Sequence, residues 1–201
     1  MKAWGAAART GKVARRTKET SVEVDLRLAP GESRIATGIP FFDHMLDQIG
    51  CHGGMTLAVQ AKGDLEVDAH HTVEDVGIGI GEALKQAVED KTGLARYGNA
   101  VVPLDEALVE AVVDLSGRPH LTFNAKLPSG KKFIGAYDVD LTQDFLQALV
   151  NHAHACLHVN VRYGRNLHHV VEAIFKATAR ALRAATAPEA GAGVPSTKGM
   201  L

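Results

Sequence analysis

Cysteine is scarce. Cys51 and Cys156 are the only two in 201 residues, too few for a disulfide framework and without the C-x-x-C spacing of a metal knuckle. They read as small buried residues of a reducing compartment. Aromatic residues make up 5%, which argues against a surface that stacks nucleic-acid bases. Neither sign of charge is in excess, the net being −1, so no global positive field draws the chain to nucleic acid or anionic membrane. No apolar run reaches bilayer length, and Met1 to Arg9 lacks the apolar core of a signal peptide. These absences predict a cytoplasmic protein whose partners include neither nucleic acid nor membrane. The rest of the composition is ordinary, with 46% hydrophobic and 22% charged residues, enough for a packed core in one domain or two small fused ones.

The oddity is histidine, present ten times and clustered. Asp68-Ala69-His70-His71-Thr72-Val73-Glu74 and Asn166-Leu167-His168-His169-Val170-Val171-Glu172 share the pattern His-His-x-x-Glu after an Asp or Asn. Residue 168 follows 70 by 98 positions, as 169 follows 71, 172 follows 74 and 166 follows 68. One His-His pair is ordinarily a surface accident. Two in register, each with the same Glu and the same capping residue, indicate an internal duplication with chemistry in both halves. Asp68 and Asn166 suit a helix N-cap, which puts each His pair in a first helical turn. Glutamate four residues after the first histidine and three after the second can share a face with either. Adjacent histidines diverge by about 100° around a helix, so one ion is not expected to take both. The economical reading is two metal sites, each drawing one histidine from each pair, within a chain or between subunits. Mixed imidazole and carboxylate donors suit manganese, iron or zinc.

Alternation at Val22, Val24, Leu26 and Leu28 predicts a half-buried strand, with Glu19 just before it reading as a solvated residue. Phe41, Phe42, Met45, Leu46 and Ile49 recur at helical spacing after Pro40, with Gly50 as a stop. His44, Gln48 and His52 lie on or just past that helix. Met55, Leu57 and Val59 alternate, and Leu65 and Val67 suggest a short further strand. Gly77, Gly79 and Gly81 fall within the helix from about 69 to 90 and predict close backbone packing there. Thr92 to Gly98 reads as the seam. Alternation from Ala107 to Val113, a strand at Leu121 and Phe123, a helix from Leu141 to Val150, a strand from Leu157 to Val161 and a helix from 167 to 185 complete the second half. The earlier helices align at an offset of 100, so His52 matches His152 but His44 matches Asp144. The predicted fold is α+β, with internally duplicated halves, each an antiparallel sheet with helices packed on one face. The divisions are an extension at 1–12, repeats at 13–95 and 96–186, and a tail at 187–201. Arg96, Arg118 and Lys198 sit in loops or tail beside Gly, Ser or Pro, where such cations can clamp a phosphate; singly, each reads as solvated charge.

Six segments in order resemble imidazoleglycerol-phosphate dehydratase. They are Lys18-Glu19-Thr20; Gly38-Ile39-Pro40-Phe41-Phe42-Asp43-His44-Met45-Leu46-Asp47-Gln48; Asp68 through Gly77; Asp114-Leu115-Ser116-Gly117-Arg118-Pro119; Gly164-Arg165-Asn166 with His168-His169 through Lys176; and Ser196-Thr197-Lys198-Gly199. The resemblance covers about residues 13–201. It implies a hydro-lyase of histidine biosynthesis that converts D-erythro-imidazoleglycerol phosphate to imidazole-acetol phosphate and water. It further implies two Mn(2+) ions per active site, held by His44, His70, His71, Glu74, His168, His169 and Glu172. Each ion would be completed by more than one subunit, in a 24-mer built from trimers. Gln48, His52, Arg96, Arg118, Ser196 and Lys198 would hold the substrate phosphate, and Glu19 would be the acid/base residue with Lys176 nearby. The resemblance thus replaces the solvated readings of Glu19, Arg96, Arg118 and Lys198. Asp144 stands where some members carry a metal-binding histidine, leaving Asp144, His152 or His158 to complete that site.

Overall fold

The structure is a computed structural model that describes residues 9–89, 91–128, 130, 132–189, 193, 195 and 196. Two four-stranded sheets flank four helices. The first sheet holds β1 (Thr10–Arg16), β2 (Ser21–Arg27), β3 (Arg34–Ala36) and β4 (Thr56–Lys62); the second holds β5 (Tyr97–Leu104), β6 (Ala107–Asp114), β7 (His120–Asn124) and β10 (Cys156–Tyr163). The spatial orders are β1-β2-β4-β3 and β5-β6-β10-β7. Counted within each half, both read first, second, fourth, third, so the duplication extends to topology. Both sheets are antiparallel except at one edge, where β3 runs parallel to β4 and β7 parallel to β10.

The helices are α1 (Pro40–Gly53), α2 (His70–Val88), α3 (Leu141–Ala153) and α4 (Leu167–Ala185). Helix α2 covers β1 and β2, and α4 covers β5 and β6; between these layers α1 packs on α4 and α2 on α3. Each half therefore supplies one helix to each interhelical seam, and the inward residues of both halves form one hydrophobic cluster. Val22, Val24 and Leu26 of β2 are buried, as are Val109, Ala111 and Val113 of β6, as their alternation requires.

Local chemistry explains several boundaries. Pro40 occupies the first turn of α1, and the Asp43 carboxylate accepts from the Thr37 backbone N–H (2.9 Å) and hydroxyl (2.5 Å). Gly50 does not end this helix. It is buried inside it against Ser33, and the chain turns out at Gly54, whose φ of 62° is left-handed. The strand expected at Leu65 and Val67 is a turn, closed by Val67 N–H donating to the Asp64 carbonyl at 2.8 Å. Strands β1 and β5 lie where the sequence showed no clean alternation, β1 beginning inside the segment expected to be a loose extension. The second half also inserts a hairpin, β8 (Phe133–Ile134) with β9 (Tyr137–Asp138). The cysteines depart from expectation: Cys51 is exposed, because the core-facing stripe of α1 passes it by, and Cys156 is half-buried on the outward side of β10. No helix among the described residues is long and apolar enough to cross a membrane.

The glycines of α2 set the α2–α3 distance. A Cβ on Gly81 would lie 2.5 Å from the Leu149 carbonyl oxygen, and one on Gly77 would lie 2.8 Å from that of Phe145. Gly79 faces the sheet, where a Cβ would touch Val24 at 3.0 Å. The obstructing atoms on α3 are backbone and cannot move without shifting the helix. We predict that Gly81→Val destabilises the fold by about 1–3 kcal/mol despite removing a helical glycine; an unchanged urea midpoint would show that the seam has slack.

Candidate active site

The α1–α4 seam carries two facing ladders at i, i+4 spacing. Helix α1 contributes His44, Gln48 and His52, and α4 contributes His168, Glu172 and Lys176, four residues being one helical step along the same face. Glu172 is the hub. Its Oε2 lies 3.1 Å from His168 Nε2 and 3.6 Å from His44 Nε2, and its Oε1 accepts from Lys176 Nζ at 2.6 Å. His44, His168 and Glu172 are the one group of three or more potential ligands among the described residues whose donor atoms all lie within 4.8 Å of one another. Donors each about 2.1 Å from one ion stand about 3–4 Å apart, so this trio fits a divalent cation. Gln48 continues the ladder, its amide nitrogen 3.5 Å from His44 Nδ1 and its Oε1 3.2 Å from His52 Nε2.

Electrostatics follow the geometry. Burial alone would disfavour a charged Glu172, yet the hydrogen bond and charge of Lys176, with His168, hold its carboxyl below the ordinary range. Burial, with Lys176 and Arg180 nearby, lowers the pKa of His52.

The α2–α3 seam holds the corresponding positions but brings fewer donors together. His70 Nδ1 lies 3.7 Å from Asp144 Oδ2, so the carboxylate at the departing position faces the histidine it would have to join. Among the three alternatives, Asp144 is the residue the fold brings to His70. His152 Nδ1 instead donates to the Ala148 carbonyl at 2.9 Å, and the His158 ring lies 5.7 Å from that of His120 on the second sheet. By the offsets of 98 and 100, Lys176 corresponds to Ile78 and Gln48 to Ala148, so the second seam lacks the polar flank of the first.

The second histidine of each pair turns elsewhere. The rings of His70 and His71 stand at 85° and those of His168 and His169 at 81°, the divergence expected of neighbours on a helix. His71 Nδ1 lies 3.0 Å from Asp64, which raises its pKa first by that hydrogen bond. His169 Nδ1 lies 2.8 Å from Glu106, and this contact, with backbone N–H groups, holds the Glu106 carboxyl down to about 2. The two His pairs do not form a common ligand group within one chain among the described residues. Asp68 and Asn166 do engage the helix starts, accepting from the backbone N–H of His70 (2.7 Å) and His168 (3.0 Å); the residue at the cap position of α2 is Ala69, one later than expected.

The other expected site residues fall into two further groups. Glu19 is exposed in the β1–β2 connection and close enough to His71 to raise its pKa, and Glu74 is exposed on the first turns of α2. Arg96 is gripped by Asp114, Nε to Oδ1 at 2.7 Å and Nη2 to Oδ2 at 3.3 Å, while Nη1 donates to the Pro195 carbonyl at 2.7 Å. This fork ties the C-terminal segment, one residue before Ser196, to the second sheet. Arg118 is exposed in the turn after Asp114, its backbone N–H bonded to Ser116 Oγ. Lys198 lies outside the described residues.

Sequence reasoning missed Asp64, Glu106 and Asp114 as contacts of site residues. Asp114 stands inside a quoted motif but looks like a turn residue, and the other two are joined to their histidines only by the fold.

This is an internally duplicated α+β protein whose facing helices assemble a histidine–carboxylate centre. The sequence pattern of imidazoleglycerol-phosphate dehydratases matches residues 37–182. The chain is 84% identical over 200 residues to the imidazoleglycerol-phosphate dehydratase of Anaeromyxobacter sp. (strain Fw109-5), covering 100% of this chain and 97% of that one. It is 55% identical to the one from Nitrosomonas europaea, over 96% of this chain and 98% of that one. The crystal structure of the Staphylococcus aureus dehydratase is 38% identical with a TM-score of 0.81, covering 89% of this chain and 99% of that one. The crystal structure of the Pyrococcus furiosus enzyme in complex with (S)-C348 is 35% identical with a TM-score of 0.82, over 94% and 100%. The chain belongs to the imidazoleglycerol-phosphate dehydratase family, and is a carbon–oxygen lyase of histidine biosynthesis.

The Arg96–Asp114 side chains are 13% and 22% exposed, which removes much of the solvent screening that weakens surface pairs. We predict that Asp114→Asn costs about 1.5–3 kcal/mol, the range for hydrogen bonds to charged groups, and increases proteolytic cleavage beside Pro195, which Arg96 holds. Denaturant titration and limited proteolysis followed by mass spectrometry check both.

Proposed function

We propose that the chain dehydrates D-erythro-imidazoleglycerol phosphate to imidazole-acetol phosphate and water, using two Mn(2+) ions per active site. The carrying observation is the convergence of His44, His168 and Glu172 on one point. Two imidazoles and a carboxylate form a donor set that manganese accepts. A second ion would be held by His70, Glu74 and Asp144, the last of these as a carboxylate in a histidine's place. Bound ions would supply Lewis-acid polarisation of the substrate's imidazole.

The protein's own groups do the remainder. Glu19 is an exposed carboxylate near His71, suited to take the carbon-bound proton next to the departing hydroxyl. Lys176, fastened to Glu172, is the neighbouring cation on the α1–α4 seam and keeps that carboxylate ionised. Gln48, His52, Arg96, Arg118, Ser196 and Lys198 hold the phosphate, whose contacts lie away from the breaking bonds and supply positioning.

His71 and His169 point out of the two seams and serve centres completed by other copies of the chain, in an assembly of 24 built from trimers. Exposed Tyr97, Val101 and Val112 on the outward face of the second sheet give such an assembly apolar surface to cover. We place the enzyme in the cytoplasm, with no nucleic-acid or membrane partner.

Glu19→Gln should leave manganese content unchanged and lower kcat by at least ~10²; near-normal turnover would remove Glu19 from this role. Exhaustive chelation should abolish dehydration, with activity returning in proportion to added Mn(2+) up to two ions per chain. Full activity in metal-free protein would overturn the metal reading.

A further inference from the structure

The two sheets can be aligned by their strand registers. Val13 pairs with Val24, and Val24 with Val59; in the second sheet Ala100 pairs with Ala111, and Ala111 with Val159. Residues 13 and 24 thus correspond to 100 and 111, an offset of 87. On the same offset Glu19, between the first two strands of its sheet, corresponds to Glu106, between the first two of the other. Their surroundings differ. Glu19 makes no side-chain hydrogen bond among the described residues, only its backbone N–H being bonded, to Thr17 Oγ1 at 3.2 Å. Glu106 is fully engaged. Its Oε1 accepts the backbone N–H groups of Asn166 (2.7 Å) and Arg165 (3.2 Å) at the start of α4, and its Oε2 meets His169 Nδ1 at 2.8 Å.

We infer that Glu106 is a positioning residue for His169, and that the duplication has divided one ancestral carboxylate position into a free proton-transfer group, Glu19, and a fixed orienting group, Glu106. With Oε1 accepting the two backbone N–H groups, Oε2 is the acceptor turned to the ring, so His169 Nδ1 is the donor of this contact. The lone pair is then on Nε2, on the far side of the ring from Glu106, as a metal-binding histidine requires. Asp105 Oδ2, 3.9 Å from Nε2, is too distant to hold that atom by a hydrogen bond. Glu106 also ties the ring to the backbone that begins α4, so the helix start and the ligand are oriented together. The inference rests on the proposed role of His169 as a manganese ligand.

The test compares Mn(2+) binding and turnover in the assembled wild-type protein, Glu106→Gln and Glu106→Asp. Glutamine has one acceptor oxygen for the two sets of donors, and aspartate is too short to reach both. Each variant should fold and assemble as wild type by circular dichroism and sedimentation. Each should bind Mn(2+) about 10–100-fold more weakly and recover kcat when manganese is raised in compensation. Glu19→Gln should do the reverse, binding metal normally while excess manganese restores nothing. Wild-type affinity in both Glu106 variants overturns the inference, as does an activity loss that added metal does not correct. Failure of both to fold assigns Glu106 to holding α4 alone and overturns it equally. A wild-type protein that takes up no manganese removes the metal reading itself, and this inference with it.

Discussion

The crossing of helices between the halves is the constraint on which everything else depends. Helix α1 belongs to the first half but packs on α4 of the second, and α3 packs on α2. Helices α2 and α4 each lie on the sheet of their own half, and a helix of the other half packs on each of them in turn, so the interior of each half is completed by the other. Buried aliphatic and aromatic side chains contribute about 1.5–3 kcal/mol each relative to exposure, and here those side chains lie both between each sheet and its own helix and along the shared seams, in one cluster. The donor groups lie on the same seams. His44 reaches His168 and Glu172, and Asp144 faces His70, because packing has already brought those helix faces together. Forming the core and forming the centre are one event.

Small residues bring neighbouring elements close. On α2 the glycines admit the backbone of α3. On α4, Ala181 is wholly buried, and a Cβ on Gly98 of β5 would strike its carbonyl oxygen at 2.1 Å, so the second sheet approaches α4 closely. Close packing of this kind fixes rotation about the helix axis, because few side chains are long enough to fill an alternative arrangement. A residue four positions from another then keeps its direction, which lets the His44-Gln48-His52 and His168-Glu172-Lys176 ladders face one another.

Much of this was legible in the sequence. The bounds of α4 were read correctly from the capping Asn166 and the apolar period, and the glycines of α2 announced a close neighbour without naming it. The duplication was visible because the two His-His-x-x-Glu sets keep one register. Strands β1 and β5 were harder, since as edge strands with one exposed face they carry polar and small residues in no clean alternation. Gly50 misled because a glycine admitted for close packing looks the same in sequence as one that ends a helix. Contacts such as Asp64 with His71, Glu106 with His169 and Asp114 with Arg96 join residues 7, 63 and 18 positions apart. No local pattern encodes the last two: the β5–β6 register sets Arg96 beside Asp114, and only the docking of α4 on that sheet brings His169 to Glu106.

The duplication is approximate where it counts most. Lys176 and Gln48 face Ile78 and Ala148 across the pseudo-twofold, and His44 faces Asp144. At these positions one seam therefore carries a cation and an amide and the other aliphatic side chains. Two halves of common descent would otherwise present a guest with interchangeable ends, and a small asymmetric molecule could enter either way round. By letting one side keep its charged flank and the other lose it, the fold has given a nearly symmetric framework a head and a tail.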